Sequence, residues 1–248
     1  PECKYCAKTL DPIGNLQSIF GYSGFRRFEG DGQIPLQQLA VNAALDDKSF
    51  LVIFPTGGGK SITFQLPALM RGKATNALTV VISPLVSLMK DQVDNLKDNF
   101  DVTNAVAISG LLSPLERERA VAKVEDGTVN LLYLSPESLR SGSMFRLLSQ
   151  RIIDRIVIDE AHCFSAWGQD FRVDYLYIGT FIQKLKKETH RLSNIPVSCF
   201  TATARTEVVE DILKYFSERL NVNMEKFTPP QGRKTLQFTG LPTAGEDL

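Results

Sequence analysis

The sequence predicts an α/β fold with a mainly parallel central sheet flanked by helices. Apolar runs of four or five residues alternate with amphipathic stretches of about ten residues or more, which is the pattern of repeated β-α-β units. Polar residues follow most of these runs, at the strand ends where parallel sheets bind their ligands. The predicted strands are 50–54, 78–82, 105–108, 130–134, 155–158 and 197–200, and the predicted helices lie near 60–70, 85–98, 114–125, 143–150, 174–188 and 206–219.

The overall composition is that of a soluble protein without a formal net charge. The chain has 248 residues, enough to bury a sizeable core, and its 28 lysines and arginines balance 28 acidic residues. A uniform attraction to nucleic acid or membrane is therefore not indicated, and such binding would have to come from a local patch. Since 43% of the residues are hydrophobic but no long apolar run occurs, no membrane partner is expected.

Residues 1–15 are predicted to be a polar tail, followed by a short helix over Leu16–Phe20 and by a second helix that Pro35 opens. The tail carries Cys3 and Cys6 as a C-x-x-C pair, which is half of a zinc site, because structural zinc takes four ligands. Zinc held within this chain alone is not expected. The pair belongs either to a site completed by upstream residues or to no metal site. Nothing indicates a disulfide framework, so a reducing compartment is expected.

A glycine-rich turn after the first predicted strand is the strongest functional signal. In this context backbone N–H groups and a helix dipole surround a concavity that suits phosphate, although the alternative is an ordinary glycine-rich turn. Lys60 is expected to reach the β- and γ-phosphates of a nucleotide, and Ser61 to offer its hydroxyl to Mg²⁺. Phe54 stands where the strict phosphate-loop pattern has glycine. The residues that match the end of that pattern are Gly59, Lys60 and Ser61, and the turn before them includes Thr56, Gly57 and Gly58.

Asp159 and Glu160 end another apolar run and are predicted to complete a nucleotide-hydrolysing site. In phosphate-loop nucleotide hydrolases, a carboxylate at such a strand end holds the Mg²⁺ that the loop hydroxyl also touches. Asp159 is the expected metal partner, through water because Mg²⁺ dehydrates reluctantly, and Glu160 is expected to orient and deprotonate an attacking water. Such a pair can also be plain surface, but its combination with Lys60 and Ser61 favours a site.

The residues that follow this pair suit nucleic acid but also allow a structural interpretation. His162 is either a zinc ligand or general base, or a hydrogen-bonded structural residue. Trp167, Phe171 and Arg172 combine aromatic rings with a cation, which suits stacking on unpaired bases at about 1–3 kcal/mol per base. The alternative is that these rings pack a long loop onto the domain.

Two Ser-Pro pairs also follow predicted strands. Ser83-Pro84 and Ser135-Pro136 each place a hydroxyl beside a helix N-terminus. Such positions either hold the backbone phosphates of a polymer or cap a helix, and the sequence favours neither.

Taken together, these motifs resemble the first RecA-like domain of RecQ-type DNA helicases, within superfamily 2. The resemblance runs from about Leu16 to about Phe216, most of the chain. Its most specific part is Asp159–His162 running directly into the aromatic-rich loop 163–172. The other matching segments are F-G-Y…F-R at 20–26, P-T-G-G-G-K-S at 55–61, I-S-P-L-V-S-L-M-K-D-Q-V at 82–93 and F-T-A-T-A at 200–204.

The resemblance implies an ATP-driven motor that moves 3′ to 5′ on single-stranded or partly duplex DNA and unwinds it. The residues that it implies for hydrolysis of Mg-ATP are Lys60, Ser61, Asp159 and Glu160, with Mg²⁺ at Ser61 and Asp159. The residues that it implies for adenine binding are Tyr22, Arg26 and Gln37. The residues that it assigns to DNA binding, or to coupling DNA with hydrolysis, are Ser83, Pro84, His162, Trp167, Phe171, Arg172, Thr201 and Thr203.

The chain departs from the RecQ pattern in two of these motifs. Residues 27–34 interrupt the first motif before its glutamine, and Gln37 is preferred to Gln33 as that glutamine because it keeps the family's spacing to the lysine. In the aromatic loop Gln169 replaces a histidine, and Val173 replaces a proline directly after it. The geometry of that loop is therefore less defined by the resemblance.

The resemblance also implies a domain plan. Residues 16–220 are expected to form the RecA-like ATP-binding domain, and 221–248 a linker around one predicted strand, 235–238, toward a second RecA-like domain that lies outside this chain. That domain would be a partner within the same protein and would bring an arginine finger, which contributes about 10³–10⁵ to phosphoryl transfer. We therefore expect the chain alone to hydrolyse ATP poorly. The expected location is the bacterial cytoplasm with its nucleoid, or a eukaryotic nucleus.

The alternative function is a nucleotide-gated module that binds DNA or RNA without unwinding it. In such a module ATP turnover would only regulate binding. Intact Lys60 and Glu160 favour the motor, because a pure binding module does not need both.

Overall fold

The computed structural model describes residues 9–167, 172–189, 195–203 and 205–229. The strands are β1 (Phe50–Ile53), β2 (Leu78–Ile82), β3 (Ala105–Ile108), β4 (Leu131–Leu134), β5 (Ile153–Ile158), β6 (Val197–Thr201) and β7 (Glu225–Phe227). They form one sheet in the order β3-β4-β2-β5-β6-β1-β7, and each recorded pairing is parallel. The predicted α/β fold is confirmed, and all six strands of the main prediction are present.

Helices cover both faces of the sheet. They are α1 (Pro12–Phe20), α2 (Leu36–Leu45), α3 (Lys60–Thr75), α4 (Val86–Phe100), α5 (Pro114–Glu125), α6 (Gly142–Ser149), α7 (Val173–Glu188) and α8 (Thr206–Leu220), with 3₁₀ turns at Pro136–Arg140 and Ala161–Phe164. Within the described ranges, no helix is both long and apolar enough to cross a membrane.

The sheet separates two hydrophobic cores. Because successive strand residues face opposite sides, Phe50 and Val52 of β1 belong to one core, whereas Leu51 and Ile53 belong to the other. Helices α1 to α4 pack on the first side and α5 to α8 on the second. Strands buried on both faces read as continuous apolar runs, which is why the sequence revealed them.

The strand order brings four polar segments together. Strands β2, β5, β6 and β1 lie side by side, and their carboxyl ends meet at one edge of the sheet because they are parallel. The segments that follow these strands begin at Ser83, Asp159, Ala202 and Phe54. Ser83 and Asp159, predicted from the sequence, therefore lie on neighbouring strand ends.

The structure differs from the predicted tail and linker. Helix α1 begins at Pro12, inside the predicted tail, because the Asp11 side chain accepts the Ile13 N–H at 3.1 Å and proline suits the first helical position. Strand β7, inside the predicted linker, pairs in parallel with β1. It has only three residues and none is fully buried, so it lacks an apolar signature. The predicted strand 235–238 lies outside the described residues.

A buried arginine joins the amino end of the sheet to α2. Arg155 is 2% exposed, and its guanidinium donates to Lys48 O at 2.8 Å, Ala44 O at 2.7 Å and Ser198 Oγ at 2.9 Å. Burial lowers the pKa of Arg155 to about 10, and the charges of Asp154 and Asp47 oppose that change. The three acceptors fix the end of α2 against β6 and the start of β1.

Candidate functional site

The turn between β1 and α3 contains three consecutive glycines, Gly57 to Gly59. Gly57 and Gly59 have φ of 72° and 74°, a conformation that side-chain-bearing residues rarely adopt. A Cβ on Gly58 would lie 2.8 Å from Pro55 O. Gly59 is the N-cap of α3 and gives it no side-chain cap, so the first N–H groups of the helix remain available to an anion. The turn therefore fits a phosphate group.

Phe54 has a structural reason to replace glycine. Its side chain is fully buried, its ring lies 4.6 Å from the ring of Phe28, and its N–H donates to Thr201 O at 3.2 Å. Residue 54 thus extends β1 into the core, and the tight part of the turn begins only after it.

Lys60 and the carboxylate pair meet at this edge of the sheet. Lys60 Nζ lies 3.6 Å from Glu160 Oε1, and both side chains are largely buried. Ser83 Oγ lies 3.5 Å from Asp159 Oδ2. Burial and the neighbouring Glu160 charge raise the pKa of Asp159, while Lys60 opposes the change. A bound cation would favour the charged form of Asp159.

Glu160 has an unusual backbone conformation. Its φ and ψ are 48° and 47°, in the left-handed region. Its N–H donates to the Asp159 side chain at 3.0 Å, and its carbonyl accepts the Cys163 N–H at 3.0 Å. Non-glycine residues in such conformations cluster at functional sites, where the surroundings hold them.

His162 is a partner of Glu160. Its Nδ1 lies 3.1 Å from Glu160 Oε2 and 3.5 Å from Thr201 Oγ1. The Cys163 side chain and the Glu160 carboxylate raise the pKa of His162 to about 10, and His162 in turn lowers the pKa of Glu160. This supports the hydrogen-bonded interpretation of His162 over the general base. Among the described residues no group of three His, Cys, Asp or Glu side chains could hold a metal, and Cys3 and Cys6 lie outside them.

Ser83 and Pro84 belong to the same edge rather than to an exposed phosphate-binding surface. Ser83 is 3% exposed and faces Asp159, and the N-cap of α4 is Leu85, so the capping interpretation of Ser83 is wrong. Pro84 O accepts a hydrogen bond from Arg172 Nη1 at 3.2 Å. Ser135 is buried as well, with its Oγ 2.8 Å from Ser138 Oγ.

Thr201 and Thr203 connect the end of β6 to its neighbours. Thr201 Oγ1 accepts the Thr203 N–H at 3.1 Å and lies near His162, while Thr201 O accepts the Phe54 N–H. The end of β6 therefore contacts both the glycine turn and the Asp159–His162 segment.

Gln37 joins the first motif to the glycine turn. Its Oε1 accepts the Arg26 N–H at 2.8 Å, and its Nε2 donates to Gly59 O at 3.0 Å. Arg26 Nη1 also donates to Gly57 O. Tyr22 is 48% exposed, with its ring centroid 6.3 Å from that of Phe100. Gln37, Arg26 and Gly59 thus lie together, and the amide of Gln37 is engaged by protein atoms.

The insertion at 27–34 is held by its own side chains, which sequence reasoning missed. Arg27 donates to Gly32 O at 3.1 Å and to Gln33 O at 2.8 Å. One carboxylate oxygen of Asp31 accepts the Phe28 N–H at 2.9 Å and the N–H of Leu36, the first residue of α2, at 3.3 Å. Gln33, the other candidate for adenine binding, contributes a carbonyl to this loop.

The aromatic loop is only partly described. Trp167 is 70% exposed, and its N–H donates to Ser165 Oγ at 3.2 Å, while Ser165 Oγ donates to Asp211 at 2.5 Å. Phe171 and Gln169 lie outside the described residues. At the exit of the loop the Arg172 N–H donates to Cys163 O at 3.1 Å. The exposure of Trp167 argues against packing of this ring onto the domain.

Tyr175 is a site neighbour that the sequence did not reveal. It is fully buried in α7, and its hydroxyl donates to Asp159 O at 2.9 Å. A tyrosine among the apolar residues of a helix has the signature of an ordinary core residue, so no local signal could have found it.

A family profile described as DEAD/DEAH box helicase matches residues 34–212 of this chain. The match covers well over half of the chain, which therefore belongs to the DEAD/DEAH box helicase family. Among curated relatives, the ATP-dependent DNA helicase RecQ of Haemophilus influenzae is 38% identical over 224 residues, covering 90% of this chain and 32% of that protein. The ATP-dependent helicase SGS1 of Saccharomyces cerevisiae is 37% identical over 203 residues, covering 80% and 13%.

These relatives confirm the resemblance to RecQ-type helicases, and the family supports a helicase motor domain. The chain spans about a third or less of the length of these two relatives. Among solved structures, the DUF1998 helicase MrfA bound to DNA and AMPPNP gives a TM-score of 0.66 at 18% identity, covering 92% of this chain and 30% of that one. A hypothetical ATP-dependent RNA helicase from Sulfolobus tokodaii gives 0.56 at 17%, covering 86% and 56%. At these identities the likeness shows the RecA-like fold alone.

Proposed function

We propose that this chain is the first motor domain of a RecQ-like 3′–5′ DNA helicase, which binds Mg-ATP and single-stranded DNA. The observation that carries the proposal is the meeting of Lys60 with Glu160 at 3.6 Å, beside three consecutive glycines and the half-buried Asp159. Similarity to the ATP-dependent DNA helicase RecQ supports the DNA substrate, and similarity to RecQ and to the ATP-dependent helicase SGS1 supports the use of ATP for unwinding. A second RecA-like domain would be its partner within the whole protein.

The glycine turn and Lys60 would hold the phosphates. Two left-handed glycines and an uncapped helix N-terminus offer backbone donors, and Lys60 supplies a positive charge at the first helical position. Ser61 and Asp159 would hold the metal, with Ser83 fixing one oxygen of Asp159. Bound Mg-ATP would supply the transferable phosphoryl group and a cation that neutralises its charge.

Glu160 would accept the proton of the attacking water. The hydrogen bond from His162, together with Lys60, lowers the pKa of Glu160, which keeps the carboxylate ionised at neutral pH. His162, bound between Glu160 and Thr201, holds that carboxylate in place rather than removing a proton itself. The path Thr203–Thr201–His162–Glu160 would then connect the end of β6 to the hydrolytic base.

Binding of DNA to the aromatic loop would affect the geometry of this site. Trp167 exposes its ring at the surface, and exposed rings stack on unpaired bases. Arg172, at the other end of the loop, binds both Cys163 O and Pro84 O. A shift of the loop on DNA binding would therefore be transmitted to the segments that carry Ser83 and Glu160.

The decisive experiment compares Lys60→Ala and Glu160→Gln with the unchanged chain. We expect Lys60→Ala to lose Mg-ATP binding, since it removes the charge that faces the phosphates. Glu160→Gln should keep nucleotide binding but lose turnover by about 10²–10⁴-fold, the contribution of a general base. Binding is measured with a fluorescent ATP analogue and turnover by single-turnover hydrolysis with single-stranded DNA. Lys73→Ala, an exposed lysine on the same helix, is the matched control.

Each outcome separates the motor from the binding module. Unchanged turnover in Glu160→Gln would show that Glu160 is not the base. The same substitutions in a protein that also carries a second RecA-like domain test unwinding, with 3′- and 5′-tailed duplexes to establish direction. Unwinding that survives both substitutions would leave the nucleotide-gated binding module as the better description.

A further inference from the structure

We propose that Tyr175 is a positioning residue for the hydrolytic pair, because its hydroxyl fixes the peptide that joins Asp159 to Glu160. This inference rests on the proposed function and deepens it. It assigns to a fully buried helix residue, outside the motifs that carry the family resemblance, control over the direction of both carboxylates.

The Tyr175 hydroxyl is the donor of this hydrogen bond, and packing of the Tyr175 ring holds the hydroxyl in place. Tyr175 lies in the first turn of α7, and its hydroxyl donates to Asp159 O at 2.9 Å. Its ring meets the ring of Phe164 edge-on, with centroids 5.2 Å apart and planes at 88°. Phe164 belongs to the 3₁₀ turn that directly follows Glu160. The segment that Tyr175 holds therefore also fixes the direction of the Tyr175 ring.

The peptide group between Asp159 and Glu160 needs such support. Glu160 has left-handed φ and ψ of 48° and 47°, and a non-glycine residue remains there only when its surroundings impose it. The Asp159 N–H is bound to Ile82 O at 2.9 Å, and Glu160 O accepts the Cys163 N–H at 3.0 Å. Tyr175 binds the carbonyl between these two points.

The left-handed turn is what separates the two side chains. Asp159 faces Ser83, whereas Glu160 faces Lys60 and His162. If the peptide rotated toward an ordinary conformation, the two carboxylates would change direction together, because they share that peptide. Reactive geometry tolerates displacements of only about 0.5 Å, so loss of the tether should reduce both metal binding and proton acceptance.

Tyr215 provides a matched control for a purely structural role. Its hydroxyl donates to Leu176 O at 2.8 Å and accepts the Gly179 N–H at 2.8 Å, which joins α7 to α8. Its ring also packs on Phe164, with centroids 4.6 Å apart. Tyr175→Phe and Tyr215→Phe thus each remove one hydrogen-bonded hydroxyl from the same region, but only the first removes a bond to Asp159.

The test measures the affinity of a fluorescent ATP analogue with and without Mg²⁺, together with single-turnover hydrolysis. For Tyr175→Phe we expect unchanged affinity without Mg²⁺, a smaller gain on adding Mg²⁺, and turnover lower by about 5- to 10-fold. Tyr215→Phe should retain both the Mg²⁺ gain and the turnover. Thermal unfolding of both variants identifies any general loss of stability.

Equal Mg²⁺ dependence and turnover in Tyr175→Phe and the unchanged chain would overturn the role of Tyr175 and leave the proposed function intact. Absence of Mg-ATP binding by the unchanged chain would instead overturn the proposed function, and Tyr175's role with it. Should Tyr175→Phe not fold, Phe164→Leu loosens the ring that directs the hydroxyl. For Phe164→Leu we expect a smaller increase in nucleotide affinity when Mg²⁺ is added. An unchanged increase would contradict the proposal.

Discussion

Gly59 has two independent reasons to lack a side chain. Its φ is 74°, and a Cβ would lie only 2.5 Å from Gln37 Nε2. We predict that Gly59→Ala destabilises the fold by about 1–2 kcal/mol through backbone strain and displaces the Gln37 amide, so that nucleotide binding is lost. Urea unfolding and binding of a fluorescent ATP analogue measure the two effects. Gly110→Ala, where nothing lies near the added Cβ, should change neither.

Arg155 is a buried cation whose hydrogen bonds go to three separate acceptors. Removing it leaves Ala44 O, Lys48 O and Ser198 Oγ without that donor, and each buried unpaired group costs about 1–3 kcal/mol. We predict that Arg155→Met lowers the free energy of unfolding by roughly 3 kcal/mol or more. A loss below about 1 kcal/mol in urea unfolding would contradict this, and the exposed Arg119→Ala should stay within about 0.5 kcal/mol.

At this scale the sequence predicts the residues of the proposed site that are defined by their chemical type but not those that are defined by their position. Lys60, Asp159 and Glu160 were predicted because a phosphate-binding turn and a carboxylate at a strand end require those side chains. The left-handed backbone of Glu160 and the tether from Tyr175 were not predicted. The tether depends on how α7 packs beside the 3₁₀ turn that follows β5, and no spacing along the chain encodes that packing.

Helix α5 begins with a reciprocal cap, and its contribution to thermal stability can be tested. Ser113 Oγ accepts the Glu116 N–H at 3.3 Å, and Glu116 Oε2 accepts the Ser113 N–H at 2.9 Å. We predict that Ser113→Ala lowers the melting temperature by roughly 2–4 °C, measured by circular dichroism. Leu115→Ala, an exposed position in the same turn, is the control and should melt almost unchanged.

The stability that this cap contributes should depend on pH. Hydrogen bonds from Ser113 lower the pKa of Glu116 below its ordinary value of about 4.5. The contribution of a carboxyl whose pKa is lowered by folding is present above its unfolded pKa and is lost as the pH falls through its folded pKa. The difference in melting temperature between the unchanged chain and Ser113→Ala should therefore narrow below about pH 4. A constant difference would contradict the assigned hydrogen bonds.

The sequence predicts the strands that are buried on both faces of the sheet, but it does not predict the strand that lacks such burial. The six predicted strands are continuous apolar runs because helices cover both faces of the sheet. Strand β7, with the sequence Glu-Lys-Phe at the sheet edge, has no such run, and only its pairing with β1 defines it. Similarly, α1 begins earlier than predicted because a side-chain cap at Asp11 makes Pro12 a favourable start, whereas the sequence places Pro12 in the predicted tail.

At the scale of the whole molecule, the reactivity of the buried cysteine thiols measures global unfolding. Cys199 lies in β6 with no exposed surface, and burial raises the pKa of its thiol well above the ordinary range. We predict that alkylation of Cys199 by iodoacetamide requires unfolding and slows roughly 100-fold when a bound nucleotide is present at 100 times its dissociation constant. Peptide mass spectrometry follows each cysteine separately. Rapid alkylation of Cys199 without denaturant would contradict the burial.

The strand order also has a consequence for synthesis on the ribosome. β1 precedes the glycine turn and is the first of the described strands to emerge, yet its neighbours β6 and β7 are the last two of those strands. Phe50 pairs with Ser198, roughly 150 residues later. At about 5–20 residues per second, β1 stays without either partner for on the order of 10–30 s. The glycine turn therefore gains the strands beside it only near the end of translation of this domain, and under the proposed function ATP would not stabilise an earlier intermediate through this turn.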